Sequence, residues 1–140
     1  MRQKPCLTAD DVRKIVDAAR DEAQRNGWGV TIAVVDDGGH PLHLERLDGA
    51  RVGTVAVALG KARTAAFLHV PTAGLQARVK DNPAMLALDY TPLPGGLPLL
   101  CGTHCIGGIG VSGVVAEQDE QIGAAGTAVL ARIWSESRPH

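Results

Sequence analysis

Between Leu93 and Glu120 the chain reads LPGGLPLLCGTHCIGGIGVSGVVAEQDE, and this stretch constrains the fold more than any other. Glycine recurs in it singly and in pairs. Leu99, Leu100, Ile106, Ile109 and Val111 are interleaved with the glycines, so the segment is not a flexible linker. Glycine admits close backbone approach and positive φ, at a cost in conformational entropy when it is ordered. The stretch therefore predicts a strand or turn against which a ligand, another backbone or another subunit lies closely.

The rest of the chain must supply the cover. Its 140 residues are enough for one domain, 1–140, with a single core. Aromatic residues are only 3%, so that core has to come from Val, Leu, Ile and Ala, and a base-stacking platform for nucleic acid is disfavoured. Net charge is −1, which gives no general attraction to nucleic acid or to an anionic membrane. No apolar run is long enough to span a bilayer, and MRQKPCLTADDVRK lacks the apolar centre of a signal peptide. Three cysteines without a disulfide framework predict a cytoplasmic protein with reduced thiols.

Taken in order, Thr8 is an N-cap with Asp10 and Asp11 in the first turn behind it. Val12, Ile15, Val16, Ala19 and Ala23 follow at helical spacing, which predicts a helix over Ala9 to Arg25. Gly29 to Val35 reads as a strand apolar on both sides. Asp36-Asp37-Gly38-Gly39 is a turn signal, and His40 to Arg46 completes a hairpin. A second helix, Arg51 to Leu68, is mostly small and apolar but contains Lys61 and Arg63. Thr72 is expected to cap a short helix over Ala73 to Val79, with a further helical turn from Pro83 to Tyr90. Thr91 to Pro98 reads as a loop. Leu97 to Cys101 and Cys105 to Gly113 form a second hairpin, and a last helix begins at Glu117. Ser135 to His140 reads as a polar, mobile tail. The order α-ββ-α-α-ββ-α predicts an α+β fold, an antiparallel sheet with helices packed on it.

Several residues are candidates for chemistry. Gly108 to Gly113 spells GxGxxG, but no βαβ unit follows, so a strand end feeding a helix explains it better than a dinucleotide site. Cys101, His104 and Cys105 resemble a metal cluster, although no second ligand pair lies nearby, and a hairpin flanked by two cysteines is the simpler reading. His40 and His43 offer imidazoles to a metal or a haem iron; an offset of three on a strand points them apart and favours two solvated histidines. Lys61 meets Val57, Ala58, Thr64 and Ala65 on its helix face, so it either snorkels to water or is a pocket cation. Asp36, Arg46 and Asp48 surround the first hairpin, where caps and salt bridges are the ordinary roles.

Three ordered segments resemble a known family. VVDDGGHPLHLERLDGA (Val34 to Ala50), GKARTAAFLHVPT (Gly60 to Thr72) and PGGLPLL…GGIGVSG…EQDEQIGAAG (Pro94 to Gly126) are similar to the GlcG/HbpS family, also called haem-degrading domain or DUF336. The resemblance covers nearly the whole chain. It implies a profilin-like or PAS-like antiparallel sheet and a homo-oligomer: a dimer, tetramer or octamer. It also implies haem as a ligand; one branch is the C-terminal domain of PduO-type corrinoid adenosyltransferases, and others belong to catabolic operons. The family pattern falls on Asp36, Gly39, Arg46, Asp48, Lys61, Gly95, Gly96, Gly110, Ser112 and Asp119. The first helix has no His or Cys to match a helix-borne ligand of one branch. The tip CGTHC also departs from the family's usual Asp/Asn-Gly turn.

Two functions follow as expectations. The first is a haem- or corrinoid-binding protein of this family. The second is a small enzyme acting on an organic acid, with Lys61 as base or Schiff-base former and Arg46 as carboxylate clamp. Lys61, Arg46 and His104 are the expected catalytic residues. Gly95 and Gly96 are expected to hold a small anionic ligand or a haem propionate through free backbone amides, together with Lys61 and Arg46. The competing expectation for Lys61 is a structural ion pair with Asp36, Asp48 or Asp119. A helix apolar round most of its circumference needs cover on two sides, the sheet and a partner subunit.

Overall fold

The structure is a computed structural model that describes residues 1–138. Helix α1 spans Ala9–Arg25 and opens on a reciprocal cap. Thr8 Oγ1 accepts from Asp11 N at 3.1 Å, and Asp11 Oδ2 accepts from Thr8 N at 2.9 Å. Strands β1 (Thr31–Asp36) and β2 (Pro41–Arg46) follow as a hairpin. Its turn is tied by Asp36, whose Oδ1 accepts from the amides of Gly38 and His40. Helix α2 spans Thr54–Leu68, α3 Leu75–Asp81, and a short 3-10 helix Pro83–Leu88. Strands β3 (Gly96–Cys101) and β4 (His104–Ser112) make the second hairpin, and α4 (Ala116–Ser137) closes the fold. The four strands form one sheet in the order β2-β1-β4-β3, every neighbour antiparallel. This is the expected α+β class.

The sheet separates two unlike layers. Toward α1 and α4 it presents Ile32, Val34, Leu97, Leu99, Ile109 and Val111, which pack with Ile15, Val16, Ala19, Ile122 and Leu130. Toward α2 it presents Ala33 and Val35 beside Gly108, Gly110 and Gly96. A Cβ on Gly110 would overlap the carbonyl oxygen of Ala58, and one on Gly108 or Gly96 would overlap the carbonyl of Ala62 or Lys61. The glycine strip is therefore a seat for the α2 backbone. The object expected to lie closely against it is this helix, not a ligand.

Element ends differ from expectation where tertiary contacts decide them. α2 begins at Thr54 rather than Arg51, because Thr54 Oγ1 bonds the Arg51 carbonyl and, at 2.8 Å, the hydroxyl of Thr31 on β1. Thr72 does not cap α3. Its hydroxyl accepts from Gly96 N at 2.9 Å and donates to Leu93 O, so it ties the Pro94-Gly95-Gly96 loop to the chain before α3. The expected loop over Thr91 to Pro98 stops at Gly95, since Gly96 to Pro98 pair with β4. The expected tail is helical through Ser137, and its last two residues lie outside the described region. Among the described residues no helix is long and apolar enough to cross a membrane.

Candidate functional site

Lys61 does not reach solvent. Its side chain and that of Asp119 are each 4% exposed, with Nζ 3.0 Å from Asp119 Oδ2. Nζ also donates to the Val111 carbonyl at 2.8 Å, and Asp119 Oδ1 accepts from Val114 N at 3.1 Å. Burial raises the Asp119 carboxyl above its ordinary value, against the pull of Lys61. Of the three carboxylates expected to compete for Lys61, Asp119 is the partner. The pair joins α2 to the start of α4 across the end of β4.

Gly95 is what allows this approach. It has φ +123°, and a Cβ there would lie 2.6 Å from Val111 O and 2.8 Å from Lys61 Nζ. The expected neighbourhood of Lys61 and the Pro94-Gly95-Gly96 loop is present, but the ammonium and the Gly96 amide are already bonded within the fold. The Gly96 amide goes to Thr72, the Gly95 carbonyl accepts from Val111 N, and the ammonium is taken. The groove beside Pro94 is lined by Glu117 and Glu120, which repel a carboxylate guest.

Arg46 lies elsewhere. It stands at the end of the edge strand β2, opposite Thr31, and lines a different groove with Trp28, Leu47 and Asp48. Thr31 in turn pairs with Ser112, so Arg46 is two strands away from the β4 residues that hold Lys61. The structure brings Lys61, Gly95 and Gly96 together and leaves Arg46 out.

The second hairpin separates its cysteines. Cys101 packs into the α1/α4 layer, whereas Cys105 faces α2, its Sγ 3.7 Å from the Ala66 carbonyl. A bulge between Leu99 and Leu100 does not bring them back to one side. Burial pushes both thiols up. Among the described residues no His, Cys, Asp and Glu side chains cluster as a metal site, so the Cys101/His104/Cys105 constellation does not form one. His104 is half-buried at the turn, beside an open groove of about 610 Å³ with Lys4, Trp134 and Arg138. Lys4 there is paired with Asp37.

An apolar groove of about 360 Å³ lies between α1 and β2. Leu7, Val12, Val16 and Leu42 give it aliphatic walls, and Arg13, Asp17, Arg20 and His43 its polar groups. β2 is turned so that His43 and Glu45 are the half-buried positions while Leu42 and Leu44 are exposed. His43 opposes Val34, and Glu45 opposes Ile32, both of which face α1. The expectation of two solvated histidines fails for His43. Its Nε2 is buried without a hydrogen-bond partner, 3.5 Å from Glu45 Oε1. Arg20 grips that carboxylate through Nε and Nη2 at 3.0 and 2.6 Å and bonds Asp17 through Nη1 at 2.8 Å. This grip holds Glu45 below the usual carboxylate range and raises the guanidinium. Sequence reasoning weighed His43 only against His40. The usable signal was the His43/Glu45 alternation opposite Arg20, but which face of β2 turned inward was not visible in it.

Comparison with known proteins agrees with this architecture. The model of a family described as "Haem degrading protein HbpS-like" matches residues 7–128. Protein GlcG of Escherichia coli K12 is 39% identical over 134 residues, covering 94% of this chain and all of the relative. A double mutant of HbpS from Streptomyces reticuli superposes with a TM-score of 0.87 at 35% identity, covering 93% of this chain and 90% of the other. A structure described as a PduOC:heme complex superposes with a TM-score of 0.83 at 27% identity, covering 89% and 95%. With the family matched across both hairpins and most of α4, this chain belongs to the HbpS-like, or GlcG/HbpS, family.

Proposed function

We propose that this protein binds haem in the groove between α1 and β2. The observation that carries the reading is the groove's composition. Aliphatic walls suit a porphyrin face, and at the rim Arg13, held by an exposed pair with Asp10, is placed to turn to a propionate, whereas Arg20 is spent on Glu45 and Asp17. The PduOC:heme complex shares the fold, which supports haem as the ligand class. Haem iron, when bound, supplies a redox-active Lewis acid whose properties depend on its axial ligand and surroundings. The chain's own part is to hold the ring, shield one side of it from water and offset its charge. Titration of ferric haemin into the purified protein tests the reading. The expected result is a saturable shift of the Soret band at a fixed haem-to-chain ratio. A shift no larger than that given by an unrelated protein overturns it.

The same reading includes a homo-oligomer. Leu44 is 41% exposed and Phe67 42%, and Val52 is also exposed at the entry to α2. Leu44 faces the α2 side of the sheet, yet α2 is seated over β1 and β4 and leaves this edge uncovered. An apolar surface of this kind is ordinary for a subunit contact. Sedimentation at micromolar concentration is expected to give a dimer or larger. A monomer there, or a Leu44→Glu variant that sediments like the wild type, overturns the proposed interface.

A further inference from the structure

We infer that a second copy of this chain docks on the outer edge of β2, strand against strand, so that one sheet runs through both subunits. The inference rests on the homo-oligomer reading and goes further by naming the contact and its register.

The two edges of the sheet are not alike. β2 and β3 are the outer strands. In antiparallel pairing, successive residues turn their N–H and C=O groups alternately to one side of the strand and to the other. The Val111 amide bonds the Gly95 carbonyl, so on β3 the backbone groups of Gly96 and Pro98 point outward. That edge is closed. The Thr72 hydroxyl accepts from the Gly96 amide and the Thr72 amide donates to the Gly96 carbonyl, each at 2.9 Å, while Pro98 has no N–H to offer.

On β2 the Leu47 amide bonds the Val30 carbonyl, so Glu45 and His43 bond β1 while Leu44 and Arg46 turn their backbone groups outward. No strand lies beyond them. The Leu44 side chain is exposed as well. An edge with free donors and acceptors beside apolar side chains is a template for another strand.

Charge selects both the occupant and the register. Outward-bonding residues have to meet outward-bonding residues. A two-fold axis at Leu44 satisfies this: Leu44 exchanges both backbone bonds with the partner's Leu44, and His43 stands opposite the partner's Glu45. The neighbouring registers set Glu45 against the partner's Glu45, or His43 against the partner's His43, and like groups directly opposed are unfavourable. β2 is thus complementary to itself in one register, and the contact continues the apolar surface around Leu44.

The experiment combines sedimentation with cysteine cross-linking. All variants carry Cys6→Ser to remove the exposed thiol, since Cys101 and Cys105 are buried. Leu44→Pro deletes an outward N–H and no bond to β1. It is expected to be folded by circular dichroism and to sediment at half the wild-type mass or less. Leu44→Cys is expected to give a disulfide-linked dimer on mild oxidation, because directly opposed, bonded residues have Cα atoms about 5.5 Å apart, within disulfide reach. Leu100→Cys, similarly exposed on β3, is expected to give none. Mixed His43→Cys and Glu45→Cys chains should cross-link to each other several-fold more than either does alone. A wild type that assembles while Leu44→Cys cross-links no faster than Leu100→Cys overturns the edge contact and leaves the homo-oligomer standing. A folded Leu44→Pro of unchanged mass does the same. Cross-linking at Leu44→Cys without the preference in the mixed chains overturns the register. A monomeric wild type overturns the homo-oligomer reading itself, a distinct outcome. If Leu44→Pro does not fold, the cross-linking pattern alone decides.

Discussion

On the α2 side of the sheet, Gly108 and Gly110 meet helix backbone with no side chain between them. On the α1/α4 side, Ile32, Val34, Leu99 and Ile109 fill the interval between layers. The first face is set by backbone-to-backbone distance and has no give. The second is set by side-chain volume and can lose atoms and partly relax. Each face also carries an ion pair. Lys61–Asp119 is sealed behind the glycine seat, while Arg20–Glu45 is half-exposed at the edge of the aliphatic layer. A buried pair is costly to break singly, whereas a surface pair contributes little. The face with the smallest residues is thus the less tolerant one.

Four measurements test this contrast. Gly110→Ala is expected to have the largest effect, because its Cβ would enter the Ala58 carbonyl and neither backbone can yield. A loss of about 4 kcal/mol or more in denaturant unfolding, or failure to fold, is expected. A loss below about 1 kcal/mol would show that α2 can lift from the sheet.

Lys61→Ala comes next, leaving Asp119 buried and unpaired at a cost of about 3–5 kcal/mol. The double variant Lys61→Met with Asp119→Leu is expected to recover most of that loss, since apolar groups of similar size remove the stranded charge. A double variant as unstable as the single one would mean the pair does more than neutralise itself.

Leu99→Ala removes a fully buried side chain from the aliphatic layer and is expected to cost about 3 kcal/mol while unfolding remains cooperative. Collapse of the fold here would erase the proposed difference between the faces.

Glu45→Gln gives the smallest effect, about 1 kcal/mol or less near pH 7. Its pH dependence has a definite sign. Arg20 depresses the Glu45 carboxyl below its ordinary 4.5, so the folded state favours the ionised form. The stabilisation is present above that value and is lost as pH falls through the lower, folded value. The wild type and the variant should therefore differ at neutral pH and converge in acid. Asp119 has the opposite sign, because burial raises it above 3.8. Its linkage contribution is fully present below 3.8 and lost as pH rises through the folded value. Unfolding curves between pH 3 and 7 separate the two, and a gap for Glu45→Gln that widens in acid would contradict the assignment.

Much of the fold was legible in local chemistry. The Thr8 cap, the apolar spacing of α1 and the Asp36–Gly39 turn specify their elements by contacts within a few residues. The two hairpins follow from apolar runs broken by turn residues. Boundaries failed where a side chain bonds across the chain, as Thr54 does to Thr31 and Thr72 to Gly96. The site was less legible. Lys61 and the Gly95 loop were expected together and are together, but Arg46 was expected with them and is not, since nothing local reports which strands lie between two residues.

What the sequence determined by itself is therefore the set of elements, their α+β class and the need for something to lie against glycine. Those depend on φ preferences, spacing and composition, which act over a few residues. Tertiary structure alone decided that the occupant is the α2 backbone, that Lys61 is neutralised by Asp119, and that β2 turns His43 and Glu45 toward α1. Strand order, register and the facing of an edge strand are set by which surfaces bury best together, a property of the assembled layers.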